Sequence, residues 1–297
     1  VTRLRAGALT YLHTHRHAAA WSLLGPGMFW LTIFFLVPLL IVFAYSFMKR
    51  GLYGGIELQF TLESYRRFFD PLYLDIFKRT FVLSVLTTVI CLVIGYPMAY
   101  VIAGSGKWKD ILLFLVILPF WTSLLVRTYA MIFLMRDTGL INTWLMDLGV
   151  IPKPITMLYT EPAVVVGLVY GSLPFMILPV YASIEKLDHS LLEAAEVLGA
   201  RPAVRFLKVT VPLTLPGILA GCLLVFIPAL GSFLGPDLLG GAKHMMIGNL
   251  VQNQFGAARN WPFGSAVSFM LMGVVLISML IYMRVQGREA LGAMGGP

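Results

Sequence analysis

Six apolar runs with almost no charge decide what this chain can become. They fall at about 25–47, 80–103, 111–134, 163–184, 213–235 and 262–283, each near the roughly 20 residues an α-helix needs to cross the hydrocarbon core of a bilayer. Backbone N–H and C=O groups find no water there, so a segment must satisfy them within itself, and for runs of this length that means a helix. The expectation is an all-α membrane protein with about six transmembrane helices. Composition agrees, with 59% hydrophobic and 12% charged residues against roughly 25% charged in soluble domains. The net charge of +8 is scattered through short connectors and forms no stripe. It suits anionic lipid headgroups rather than nucleic acid.

The ends and the charges refine this. Residues 1–20 carry Arg3, Arg5, Arg16, His13, His15 and His17 with few periodic apolar positions, and read as a solvated tail at a membrane face rather than a metal site, since no carboxylate or Cys stands nearby. The run that follows is too long for the apolar core of a cleaved signal and reads as a first span. Cys91 and Cys222 both lie inside apolar runs, so no disulfide framework or metal site is indicated. Arg127 is the one formal charge inside a run. At mid-bilayer it would cost about 2.5–3.5 kcal/mol, so its place toward one end means snorkelling to the interface or facing a wet cavity.

Prolines and glycines interrupt the runs at Pro38, Gly95-Tyr96-Pro97, Pro119, Pro174, Pro179, Pro216, Pro228 and Gly231. Broken helices free carbonyls that need protein or a water-lined cavity around them. Trp121, Tyr129, Trp144, Tyr170 and Trp261 gather near one set of span ends; such rings either form an interfacial belt or face a pathway and hold a cation over a ring. On the same side Asp137, Asp147, Glu161 and Asp237 are either solvated or paired with a cationic solute. The candidate pathway residues are Trp121, Arg127, Tyr129, Tyr170, Glu161 and Asp237. Gly104-Ser-Gly-Lys107 lacks the Gly and Ser/Thr positions of a phosphate loop, which here are Val101 and Trp108. It reads as a tight turn, so no cofactor site is encoded and any ATP chemistry belongs to a partner.

One long polar stretch, Asp188 to Gly217, breaks the apolar pattern. Ser190 and Glu193 have capping-box spacing, so a helix is predicted to start there. Leu191, Ala194, Ala195 and Leu198 make one apolar stripe, and Gly199 supplies a left-handed stop. Pro202 fits the first position of a second helix through Arg205 and Lys208, with Pro212 and Pro216 marking the return to apolar sequence. A two-turn helix is marginal alone, so the stripe is expected to dock into a groove on another protein.

Glu193-Ala194-Ala195, three residues, Gly199, nine residues and Val209-Thr-Val211-Pro212 resemble the EAA loop of the membrane subunits of bacterial ATP-binding-cassette importers, E-A-A-x3-G-x9-I-x-L-P, with Val at the Ile and Leu positions. Further blocks resemble the permease subunits of spermidine/putrescine importers: Leu118–Ala130, Leu173–Tyr181, Val225–Phe233, Pro236–Gly241, Met246–Leu250 and Asn260–Gly264. Related permeases for ferric iron, opines or phosphonates share part of these blocks. The resemblance implies a type I importer permease fold in a bacterial inner membrane, with a cytoplasmic tail at 1–20, a transmembrane domain at 21–284 containing a coupling loop at 185–211, and a cytoplasmic C-terminal tail at 285–297. It implies as partners a second homologous permease subunit, two cytoplasmic ATPase subunits and a periplasmic substrate-binding protein. Glu193, Ala194, Ala195, Gly199 and Pro212 would couple to the ATPase, the permease itself being no enzyme. A secondary transporter would place ionisable groups deep in its spans, and a membrane enzyme would cluster His, Asp, Glu or Cys near one face; neither pattern is present in the spans.

Basic residues do not orient the chain, since 11 of the 22 Lys and Arg fall on the side of the termini and 10 on the other. The orientation with both termini and 185–211 in the cytoplasm comes from the EAA resemblance. Single cysteines at Ser190 and Gly256, in a background lacking Cys91 and Cys222, are expected to react with an impermeant thiol reagent from opposite sides of the membrane; labelling from the same side refutes this topology.

Overall fold

The computed structural model describes residues 16–294. Arg16–Leu31 (α1) leads through a π turn, Thr32–Leu36, into Val37–Ser46 (α2). Two short antiparallel strands, Met48–Arg50 (β1) and Ile56–Phe60 (β2), pair Lys49 with Glu57 and Arg50 with Ile56. Then come Glu63–Phe68 (α3), Pro71–Gly104 (α4), Lys109–Ile117 (α5), Leu124–Met135 (α6), Leu140–Asp147 (α7), Glu161–Glu185 (α8), His189–Val197 (α9), Pro202–Arg205 (α10), Val211–Leu213 (α11), Leu215–Gly231 (α12), Ile247–Phe255 (α13) and Trp261–Met294 (α14). Four stretches, Leu24–Ser46, Pro71–Gly104, Glu161–Glu185 and Trp261–Arg284, are long and apolar enough to cross a membrane, and two bent pairs bring the count to six. Arg3, Arg5, His13 and His15 of the predicted tail lie outside the described residues. Helix already begins at Arg16, and α14 runs on to Met294.

The proline breaks expected inside the spans are realised at two places and absent at the others. The third run is not one straight helix: after a 3-10 turn at Leu118–Trp121 the chain is extended at Thr122 and Ser123, and the helices on either side differ in direction by 92°. Pro119 is the cause on the sequence side, and the Thr122 hydroxyl donates to the Pro119 carbonyl at 2.7 Å, so the broken end keeps a hydrogen bond. The fifth span starts at Leu215, after a 66° bend at Thr214. Pro216 cannot donate to the Pro212 carbonyl four residues back, and its ring crowds it. The remaining span prolines do not break their helices, for Pro97 lies inside α4, Pro174 and Pro179 inside α8, and Pro228 inside α12. Two prolines, Pro38 and Pro212, stand at the second position after π turns, Thr32–Leu36 and Phe206–Thr210. A π turn widens the helix by one residue, which gives the proline ring room against the preceding turn.

The β hairpin was not anticipated in an all-α reading. Gly54 and Gly55 turn it at φ +90° and +81°, and it is held by Gly55 N–H to the Arg259 carbonyl at 2.8 Å and by Arg50 Nη2 to the Ala258 carbonyl at 2.9 Å. These contacts place connector 47–62 beside connector 256–260. Arg79 Nε lies 3.2 Å from Glu161 Oε1, Arg79 Nη1 donates to the Lys243 carbonyl at 2.8 Å, and Tyr159 N–H donates to the Leu239 carbonyl at 2.8 Å. The connectors around 48–79, 136–160 and 236–260 therefore meet at one end of the molecule. The turn at 104–109 meets the start of the polar loop elsewhere, through Lys109 Nζ to Glu185 Oε1 at 2.6 Å.

The core lies where α4, α8 and α12 touch. Cys91, Ala99, Met176, Ile177, Val180 and Val225 are all buried there. Lipid tails are as apolar as leucine, so helices in a membrane associate through close packing at small residues, and the glycines here show it. A Cβ on Gly95 would sit 3.0 Å from Met176 Cγ, one on Gly221 2.8 Å from Met176 Sδ, and one on Gly217 would strike Ser183 Cβ and stand 2.7 Å from the Pro179 carbonyl. Gly217→Val is expected to cost roughly 1–3 kcal/mol by overpacking and to lower the thermal unfolding midpoint of the detergent-purified protein. Gly273→Ala, which has nothing within 4 Å, is expected to leave the midpoint in place; equal midpoints for the two variants contradict this packing.

Candidate coupling and pathway sites

Helix α9 carries the predicted docking stripe. Its start differs from the expectation: the N-cap is Asp188, in extended backbone at φ −72° and ψ 112°, and its carboxylate accepts the Ser190 N–H at 2.9 Å. Ser190 is already helical, so Glu193 is no part of a capping box and stands exposed one turn along. The stop is as predicted. Gly199 has φ +77°, its N–H donates to the Glu196 carbonyl at 2.9 Å, and Ala200 N–H donates to the Ala195 carbonyl at 3.0 Å, the paired bonds of a Schellman motif. Pro202 begins α10, and Arg205 Nη1 reaches back to Glu196 Oε2 at 2.6 Å. Pro212 is exposed on α11.

The two faces of α9 differ. Leu192 turns inward, lining a small cleft with Tyr100, Lys109 and Thr210. Leu191, Ala194 and Leu198 face out, and Leu198 and its neighbour Val197 are 86% and 88% exposed. Two large apolar side chains left that bare at the end of a rigidly stopped helix form a surface that another protein can cover.

The nominated pathway residues do not form one cluster. Trp121 is exposed and packs edge-on against Phe114. The Arg127 guanidinium lies 5.6 Å from the centre of the Phe120 ring, with its Nε buried. Tyr129 is half exposed on α6, and Tyr170 of α8 lines an apolar cavity of about 570 Å³ with Pro97, Leu112 and Pro119. Glu161 is engaged by Arg79 and lies 3.5 Å from His244 Nδ1, while Asp237 is exposed in a π turn at Pro236–Gly240.

A different set of residues surrounds a second cavity of about 280 Å³ where α6, α8 and the C-terminal end of α12 meet: Thr128, Ser172, Ser232, Phe175 and Phe233 are among its walls. None was nominated individually, because a lone Ser, Thr or Phe inside an apolar run is indistinguishable from packing. Their signal was collective, since all five fall within three of the quoted blocks, at 118–130, 173–181 and 225–233, or next to one. The cavity opens beside the two features that proline and glycine foretold, the break before Leu124 and the end of α12 at Gly231.

A family model described as "Binding-protein-dependent transport system inner membrane component" matches residues 91–289. The chain belongs to that family. This permease is 48% identical over 256 residues to the spermidine/putrescine transport system permease protein PotB of Haemophilus influenzae, covering 86% of this chain and 90% of that protein. It is 45% identical over 256 residues to PotB of Escherichia coli, covering 86% and 93%. Its fold matches a chain of a bacterial alginate ABC transporter solved in complex with a pentasaccharide-bound periplasmic protein, with a TM-score of 0.75 and 18% identity over 92% of this chain and 95% of that one. The permease is thus a multi-pass inner membrane protein with the fold of ABC-transporter permeases.

The local geometry of α9 makes a specific demand. Asp188→Ala removes an N-cap worth about 0.5–2 kcal/mol, and Gly199→Val puts a β-branched residue where the left-handed backbone costs roughly 1–2 kcal/mol with no clash to confuse the result. Both variants are expected to fold and to be cut several-fold faster between 189 and 201 by a low dose of protease. Wild-type cleavage rates in both refute the proposed stop and start.

Proposed function

We propose that this chain is a permease subunit of an ATP-driven polyamine importer, forming half of a translocation pathway for spermidine or putrescine handed over by a periplasmic binding protein. A second homologous permease supplies the other half, and two cytoplasmic ATPase subunits, one docked on the outward face of α9, supply the energy. The observation that carries this reading is the bare apolar face of α9, Leu191, Val197 and Leu198, on a helix matching the EAA pattern at Glu193, Ala194, Ala195 and Gly199. The polyamine half rests on the relatives named for spermidine/putrescine transport. The end bearing α9 and the 104–109 turn then faces the cytoplasm, and the end that gathers the hairpin and connectors 136–160 and 236–260 faces the periplasm.

The 280 Å³ cavity suits a solute that must be released. Hydroxyls of Thr128, Ser172 and Ser232 and the rings of Phe175 and Phe233 solvate an ammonium group by hydrogen bonds and cation–π contact, without a carboxylate to hold it. Selectivity then lies chiefly in the binding protein. At the periplasmic end Glu161 is already paired with Arg79, while the exposed Asp237 carboxylate attracts a polycation, so Asp237→Asn lowers uptake modestly.

The test is uptake of labelled spermidine by cells carrying the complete importer, against excess putrescine, ferric iron, an opine and a phosphonate. Competition by putrescine alone is the expected result, and Gly199→Val and Glu193→Ala are expected to abolish or sharply reduce both uptake and substrate-stimulated ATP hydrolysis. Competition by iron, opine or phosphonate but not by putrescine replaces the cargo and keeps the permease; wild-type coupling in both variants removes the docking role of α9.

A further inference from the structure

The salt bridge that ties α9 to the next helix is a weak mechanical link. Arg205 and Glu196 are 28% and 70% exposed, and exposed pairs of this kind are worth about 0–1 kcal/mol. One residue beyond Arg205 the links turn to ring contacts with α4. Phe206 stands edge-on to two rings of α4, at 5.5 Å from Tyr96 and 5.6 Å from Tyr100, with interplanar angles of 85° and 88°. Eight residues further, at the 66° bend between the coupling segment and α12, the Tyr96 hydroxyl meets the Thr214 hydroxyl at 2.9 Å.

The direction of that last bond follows from counting protons. Thr214 Oγ1 lies 2.9 Å from the Thr210 carbonyl and 3.1 Å from the Val211 carbonyl. A threonine hydroxyl has one hydrogen, and carbonyls can only accept it, so Tyr96 donates to Thr214. Thr214 is fully buried and Tyr96 is 7% exposed, so water offers neither partner a substitute. At the bend itself Pro216 has no N–H to give the Pro212 carbonyl, while the Thr214 N–H donates to Thr210 at 3.0 Å and its carbonyl accepts Ile218 N–H at 3.0 Å. Thr214 is thus the C-cap of one helix and the N-cap of the next. Its side chain is the point at which α4 holds the bend. Tyr96 is itself fixed, because its neighbour Gly95 packs against Met176 of α8.

We propose that the Tyr96–Thr214 hydrogen bond, with Phe206 wedged beside it, is the joint that transmits movement of α9 into the membrane core: Tyr96 and Thr214 are positioning residues that make the bend at 214 move with α4 instead of flexing independently. This rests on the reading of α9 as the ATPase-docking helix. A joint of this kind leaves assembly and ATP binding alone and alters how much transport each ATP yields. Losing it lets the coupling segment swing while α12 stays still.

The experiment uses the complete importer in proteoliposomes, with labelled spermidine as cargo and two ratios as readouts: uptake per ATP hydrolysed, and hydrolysis with the loaded binding protein over hydrolysis without it. Tyr96→Phe keeps the ring against Phe206 and removes only the hydroxyl; Thr214→Val keeps the shape and removes the acceptor; Thr214→Ser restores it. Tyr96→Phe and Thr214→Val are each expected to lower the ratios roughly threefold to tenfold, the range one buried hydrogen bond commands, with the double variant no worse than either single one and Thr214→Ser near wild type. Copurification of all subunits separates this from poor assembly, and if Thr214→Val does not assemble, Tyr96→Phe and Thr214→Ser decide alone. Wild-type ratios in Tyr96→Phe, or a Thr214→Ser as impaired as Thr214→Val, overturn the joint. Wild-type coupling in Gly199→Val instead overturns the docking role of α9, and absence of spermidine uptake in the wild type overturns the cargo, the joint then being read from the hydrolysis ratio with the binding protein loaded by the solute that competes in the uptake test.

Discussion

Close contact between α4, α8 and α12 is the interaction on which everything else in this permease depends. Helices in lipid gain nothing by hiding leucine from a solvent that resembles leucine, so contact has to come from fit. Met176, fully buried, is the knob of that fit, received by Gly95 on one side and Gly221 on the other. Gly217 brings α12 against Ser183 and Pro179 a turn further along α8. These three helices form a block. The first span and the stretch Trp261–Arg284 are little buried and, apart from their contact with each other at Phe43 and Phe269, present most of their surface to lipid or a partner.

Against that block, each departure from straight helix can be assigned a cause. The N–H missing from a proline is absorbed by a π turn before Pro38 and Pro212, tolerated inside α4, α8 and α12, and turned into a bend only at Pro119 and Pro216. The difference lies in what stands beside it. At Pro119 the freed chain finds the Thr122 hydroxyl and the Phe120 ring packs at right angles on Phe175; at Pro216 the bend is filled by Thr214 and Tyr96. Buried polar groups are costly when unpaired and specifying when paired, and Thr214, fully buried at the second bend, is paired.

The two candidate sites follow from the same block. One bend leads to the polar loop and sets α9 outside the core with its apolar face bare; the other opens the 280 Å³ cavity beside α12. Under the proposed function, a docking surface at one end and a weakly polar cavity among the spans are the two parts a coupled pathway needs, and Thr214 lies between them in the chain.

The sequence by itself determined the helical class, the six apolar stretches though not the shape of the two that bend, the Gly199 stop, the Pro202 start and the apolar stripe of α9, because each is a local property: run length against bilayer thickness, a left-handed backbone, a ring that fixes φ. It misplaced the cap of α9, since Asp188 and Ser190 both accept hydrogen bonds well and the choice is made by where α8 releases the chain into extended backbone. It passed over the β hairpin, whose Ile56–Phe60 alternation is too short to stand alone and is held by backbone atoms of Ala258 and Arg259. It nominated Glu161 by charge without knowing that Arg79, 82 positions earlier in the chain, would be beside it. Which prolines bend, which hydroxyls line a cavity and which tyrosine holds Thr214 were decided only by the tertiary structure, because each depends on the identity of the side chain on the other helix, and no local pattern records that.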